Sequence, residues 1–259
     1  MSDQHRPKVG LFHTCLVDLV RPQVGFAAIK LLERAGCEVV VPKNQTCCGQ
    51  PAWNSGADKH AAEIARQVVQ TFERFDYVVV PSGSCGGTLR RHYPEILKND
   101  PAFAGRAKAL AEKTYELMQF LVDVRGLADL DVNFDGTLTY HDSCSSLREM
   151  GVKEQPRKLL GSLSGMELCE MKDGQVCCGF GGLFATKYPD ISERMADDKI
   201  ADAVASGAKT LTGGDLGCLL HLAGRMKRRG IEMDVRHVAE ILVGERSPPL
   251  GETRTEKKS

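Results

Sequence analysis

The sequence predicts an α/β chain built as two tandem Rossmann-like lobes related by a pseudo-twofold, each a parallel sheet flanked by helices. Two observations carry the prediction. Short β-branched runs alternate with helical runs along most of the chain, the pattern of a parallel sheet. A cysteine pattern also occurs twice: Cys15, Cys47, Cys48 and Cys85, then Cys144, Cys177, Cys178 and Cys218, offset by about 130 residues. Self-similarity at a fixed period marks a unit built more than once. Residues 1–130 are expected to form the first lobe, 131–245 the second, and 246–259 a disordered tail.

The elements follow in order. KVGLFHTC, ending at Cys15, reads as a strand running into a loop. A helix is expected from Pro22 to Ala35, because proline suits a first turn and Gly36 suits the stop. CEVVVP is a short strand closed by proline. The loop NQTCCGQPAWNSG comes next, followed by a helix from Asp58 to Arg74. YVVVPSGSC enters a glycine-rich turn with a helix after it. ALAEKTYELMQFLVDVRG reads as a helix, and LADLDVNFDG as the linker, with the boundary near Asp131. The second half repeats the order: strand and loop TLTYHDSC, a helix from Lys153 to Leu160, the strand MELCEM, the loop QVCCGFGG, a helix from Pro189 to Ala205, and the strand and turn KTLTGGDLGC. The tail from Arg246 is polar without an apolar period, hence the expectation of disorder. In both copies the four cysteines fall where strands end, the place where parallel sheets bind ligands.

Composition narrows the classes. Lys plus Arg and Asp plus Glu both number 34, so nothing points to nucleic acid or anionic lipid. No signal peptide or membrane-spanning run is seen. The chain reads as cytoplasmic, where thiols stay reduced and clustered cysteines serve as metal ligands or catalysts rather than disulfides.

Four thiolates converging on a point are soft ligands for zinc or an iron–sulfur cluster. Structural zinc sites draw on short C-x₂₋₄-C loops, whereas here the ligands come from three separated loops and a vicinal pair. The ferredoxin run C-x₂-C-x₂-C-x₃-C-P is also missing. A vicinal pair directs two sulfurs outward from one turn, which suits several irons better than one tetrahedral ion.

The two copies of a lone cysteine, then Cys-Cys-Gly, then a further cysteine resemble the CCG cysteine-rich domain. It occurs in the cysteine-rich component of heterodisulfide reductase, in the glycolate oxidase iron–sulfur subunit and in the lactate utilisation A family. PSGSCGGTLRRHYPE, YHDSCSSLREMG, CCGFGGLFATKYPDIS and GGDLGCLLHLAGR resemble the last of these in particular. The resemblance spans about residues 8–245. It implies an iron–sulfur subunit of a complex oxidising L-lactate to pyruvate, with one [4Fe–4S] cluster per copy held by the eight cysteines. It also implies a ferredoxin-like subunit and an accessory subunit as partners. The family motif closes each copy with C-x-x-C; here Thr88 and His221 stand at the last positions, which puts a five-cysteine cluster in doubt and leaves His221 as a possible extra ligand. Alternatives are a thiol–disulfide reductase subunit and a zinc-binding assembly module.

Other readings compete residue by residue. Cys37 and Cys169 suit small buried hydrophobes. A vicinal Cys47–Cys48 disulfide is disfavoured by a reducing compartment. Gly83-Ser84-Cys85-Gly86-Gly87 fits a nucleophile elbow with His92 or His141 as base, but the matching turn at Cys218 has no glycine two places on. His13 and His141, just ahead of the first cysteine of each copy, suit strand-end histidines bonded to a carbonyl, or donors to a cluster. Arg90, Arg91 and His92 suit a solvated face or a contact for the partner.

Overall fold

A computed structural model describes residues 6–251. In the first lobe β1 (Lys8–Leu11) leads into α1 (Cys15–Val20) and α2 (Pro22–Arg34). Proline opens α2, whose Val24, Ala27, Ala28, Leu31 and Leu32 are buried at helical spacing. After β2 (Glu38–Val40), the CCG loop runs into α3 (Gln50–Asn54) and α4 (Asp58–Phe72). Next come β3 (Tyr77–Val80), α5 (Gly83–Gly87), a π-turn over Thr88–His92 and α6 (Tyr93–Ile96). The lobe closes with α7 (Ala104–Glu112), β4 (Thr114–Glu116), α8 (Leu117–Gln119) and a second π-turn over Phe120–Val124.

The second lobe opens on β5 (Asn133–His141), followed by a π-turn over Ser146–Met150, α9 (Glu154–Leu160) and β6 (Ser164–Leu168). Then come α10 (Leu183–Lys187), α11 (Pro189–Ala205), β7 (Thr210–Gly213), α12 (Leu216–Arg229), β8 (Asp234–His237) and α13 (Val238–Leu242). The sheets are parallel throughout and have the same order, β2-β1-β3-β4 and β6-β5-β7-β8. The inner strand β3 buries Val78, Val79 and Val80 completely, as a parallel strand covered on both faces should.

The lobes share a core. Leu11, Leu31, Leu117 and Phe120 of the first pack in one cluster with Leu138, Leu159, Val238 and Ile241 of the second. A buried ion pair, Arg21 to Glu240 at 2.8 Å, joins the start of α2 to α13.

Three expectations are corrected. The run ALAEKTYELMQFLVDVRG is not one helix: Thr114, Tyr115 and Glu116 pair with Val78, Val79 and Val80 as an edge strand, so sheet pairing overrides the helical period. The expected linker already contains the start of β5, where Asn133 pairs with Ser164. The tail is held beyond Arg246: Leu250 is buried, its N–H donates to the Val235 carbonyl at 2.9 Å, and Arg236 donates to the Ser247 carbonyl. Residues 252–259 of the expected tail lie outside the described residues.

Candidate metal centres

Every cysteine of the two sets stands at the carboxyl end of its sheet, because the strand-end loops carry them. Cys15 opens α1 behind Thr14, whose φ of 67° is unusual for a β-branched residue and whose hydroxyl accepts from the Val17 N–H. Cys47 and Cys48 sit in the loop after β2, and Cys85 lies in α5 after β3. The Cys15 and Cys47 sulfurs are 4.0 Å apart. Cys48 touches both Cys47 and Cys85, so the four thiols form one chain of contacts. The second set repeats it: Cys144 meets Cys177, Cys177 meets Cys178, and Cys178 meets Cys218. The structure therefore brings together all eight residues singled out in the sequence. Cys37 is buried and Cys169 half-buried, each apart from these chains, and all ten cysteines are free thiols.

The vicinal turns share one geometry. Gly49 and Gly179 both have φ of +83°, which lets two adjacent sulfurs turn toward the same side. Backbone amides point back at the sulfurs: the Gly179 N–H lies 3.4 Å from the Cys177 sulfur. Beneath the first turn, the buried Tyr93 hydroxyl donates to the Cys48 carbonyl at 2.9 Å.

Crowding sets the proton affinities. Cys15 is pushed up by its hydrogen bond to Cys47 and by burial. Cys47 is lowered, because Cys15 and then Cys48 donate to it. Cys48 is pushed up by its contacts with Cys47 and Cys85 and by burial. Cys144 rises through its bond to Cys177 and burial. In Cys178 the Cys177 contact lowers the affinity, but the Cys218 contact and burial outweigh it. The thiols thus compete for few negative charges. A cation reverses this, since coordinated thiols lose their protons.

Loops that carry the two sets meet at the lobe junction. Asp215, at the N-terminus of α12, accepts from the Ser82 hydroxyl at 3.0 Å, the Ser84 N–H at 2.9 Å and the Gly217 N–H at 3.1 Å. One buried carboxylate therefore ties the loop of Cys85 to that of Cys218. Beside it, a Cβ on Gly83 would lie 2.0 Å from the Ser146 hydroxyl, so glycine allows the Cys85 turn to press against the Cys144 turn.

The remaining candidates divide. Thr88 is buried and donates to the Ser84 carbonyl at 2.8 Å. His221 stacks near Phe180, and its Nε2 lies 3.3 Å from the Ser192 hydroxyl, which itself donates to the Gly179 carbonyl. It braces the second CCG turn. His13 behaves as a strand-end histidine, its Nδ1 lying 3.1 Å from the Thr14 carbonyl. His141 does not: it is buried, both ring nitrogens are unpartnered among the described residues, and burial lowers its pKa to about 3. No hydrogen bond joins Cys85 to His92 or His141 among the described residues. Arg91 donates to the Glu149 carbonyl and His92 lies 3.8 Å from the Glu149 carboxylate, so this basic group braces the lobe junction.

Fold and site together define a tandem cysteine-rich protein. The family model of the CCG cysteine-rich domain matches twice, over residues 9–90 and 138–223. The chain is 49% identical over 235 residues to lactate utilization protein A of Geobacillus sp. (strain WCH70), covering 91% of this chain and 98% of that protein. It is 47% identical, over the same shares, to lactate utilization protein A of Bacillus cytotoxicus. A hypothetical protein from Helicobacter pylori shares the fold, with a TM-score of 0.63 at 11% identity over 95% of this chain and 49% of that one. The chain belongs to the lactate utilization protein A family of CCG cysteine-rich proteins.

Proposed function

We propose that this chain is the iron–sulfur subunit of a multi-subunit assembly oxidising L-lactate to pyruvate. The observation that carries the reading is the pair of four-cysteine chains, carried on loops that meet at the lobe junction. The names of the relatives supply the substrate. Soft thiolates from separated loops, ringed by backbone N–H groups, fit an iron–sulfur group. Cys15, Cys47, Cys48 and Cys85 would hold one, and Cys144, Cys177, Cys178 and Cys218 the other. A [4Fe–4S] cluster in each set would take up and pass on one electron at a time, so the pair suits the two electrons released by each lactate. The cysteines would release their protons on binding, and the amide of Gly179 would stabilise the Cys177 thiolate. Asp215 would hold the facing loops in register.

The chain offers no ferredoxin run and no dinucleotide loop for onward transfer. A ferredoxin-like subunit and an accessory subunit would therefore complete the path. Among the described residues no helix is long and apolar enough to cross a membrane. A reducing cytoplasm would keep the thiols available.

The test supplies the reconstituted chain with lactate and an artificial electron acceptor, then adds the subunits encoded with it. Pyruvate should form only in the complete mixture. Full turnover by the single chain would refute the division of labour.

A further inference from the structure

We propose that His141 is a nitrogen ligand of the metal group held by Cys144, Cys177, Cys178 and Cys218, making the second site chemically unlike the first. The inference rests on reading the cysteines as metal ligands. A ring nitrogen of His141 and the sulfurs of Cys178 and Cys218 all lie within 4.8 Å of one another, and all three residues are buried. Among the described residues neither ring nitrogen of His141 has a hydrogen-bond partner. Buried polar atoms are almost always paired, and an orphan points to a missing ion or water. Imidazole together with thiolate is a donor set for iron or zinc.

The first lobe supplies the contrast. In the sheets Leu11 pairs with Val79 and Tyr140 with Thr212, so the residues that follow, Phe12 and His141, hold matching places. Phe12 is fully buried, packs in one cluster with Cys48, and has its ring 5.5 Å from that of Phe72. A hydrocarbon ring thus satisfies the packing of the fold at this position. An imidazole with two idle nitrogens in the same place costs desolvation, which a bond to metal would offset. His221, the histidine that spacing alone suggests, is engaged by Ser192. On this reading the first site offers four thiolates and the second offers four thiolates with an imidazole, and ligand identity is one of the levers that set the potential of an iron–sulfur centre. The two sites should therefore differ in midpoint potential.

The test reconstitutes the whole chain with iron and sulfide, carrying nitrogen-15 histidine, reduces it, and reads nitrogen couplings by pulsed electron paramagnetic resonance. Wild type should show a directly bound histidine nitrogen. His141→Phe, which copies Phe12, and His141→Gln should lose it, and His221→Ala should keep it. In a redox titration one midpoint should shift in His141→Phe while the other stays. Loaded wild type without the coupling, or a coupling lost in His221→Ala and kept in His141→Phe, would overturn the proposal. If wild type takes up no iron and sulfide, the iron–sulfur reading fails by itself, and cobalt(II) becomes the probe. A mixed thiolate and nitrogen spectrum altered by His141→Phe would still support His141 as a ligand. An all-thiolate spectrum in both proteins would overturn it.

Discussion

Replacing the glycine of each CCG turn by alanine should destabilise the two lobes unequally. Both Gly49 and Gly179 sit at φ +83°, so each alanine carries the left-handed penalty of roughly 1–2 kcal/mol. The surroundings differ. A Cβ on Gly179 would lie 2.7 Å from the Ser192 carbonyl oxygen and 2.8 Å from Met195 Cβ, atoms fixed in α11. Forcing a methyl there adds an overpacking cost of about 1–3 kcal/mol. A Cβ on Gly49 would meet only the Ile64 side chain, at 3.2 Å, which can yield. Gly179→Ala should therefore cost about 2–5 kcal/mol and Gly49→Ala about 1–2 kcal/mol. Urea unfolding of the metal-free proteins, followed by circular dichroism, measures both. Equal losses within about 0.5 kcal/mol would show that α11 yields as easily as Ile64 and refute the reasoning.

Glu116 and Arg157 give two further expectations. Burial pushes the Glu116 carboxyl up to about 8; the amides of Gln119 and Met118 pull it back only in part, and Asp215 adds to the rise. Between about 4.5 and about 8 the folded state keeps a proton that the unfolded state releases, so this group costs increasing stability as pH rises through that window. Glu116→Gln should gain on wild type from roughly pH 5 to roughly pH 8, by at most about 1.4 kcal/mol per pH unit, read from urea midpoints. A pH-independent difference would contradict it. Arg157 donates twice to the buried Asp142 carboxylate, at 2.9 Å each. Arg157→Ala should cost about 3–5 kcal/mol by removing the partner of a buried carboxylate, and a loss under about 1 kcal/mol in thermal or urea unfolding would show that the pair is worth no more than an exposed one.

Much of this architecture was readable from residues, because its signals are local. Pro22 and Pro189 open α2 and α11 where expected, and valine runs mark β2 and β3. The cysteines could be placed because each follows such a strand. The edge strands β4 and β8 were not readable. Thr114–Glu116 is three residues inside a helical period, and its pairing with β3 is decided by residues far along the chain. Asp215 was missed for a similar reason: its partners Ser82 and Ser84 lie in the other lobe. Spacing favoured His221 over His141, yet one turn along α12 brings His221 to Ser192 rather than to the sulfurs. Setting Phe12 beside His141 in the aligned copies was the available signal for the difference between the sites.

Iron and acid-labile sulfide per chain, measured on anaerobically reconstituted wild type and cysteine variants, test the central claim most directly. Cys48→Ser should lose roughly half of the iron and sulfide, as should Cys178→Ser, and the double variant nearly all. Cys37→Ser and Cys169→Ser should retain the full content. A double variant that keeps its iron, or a wild type that binds zinc and no sulfide, would contradict the account.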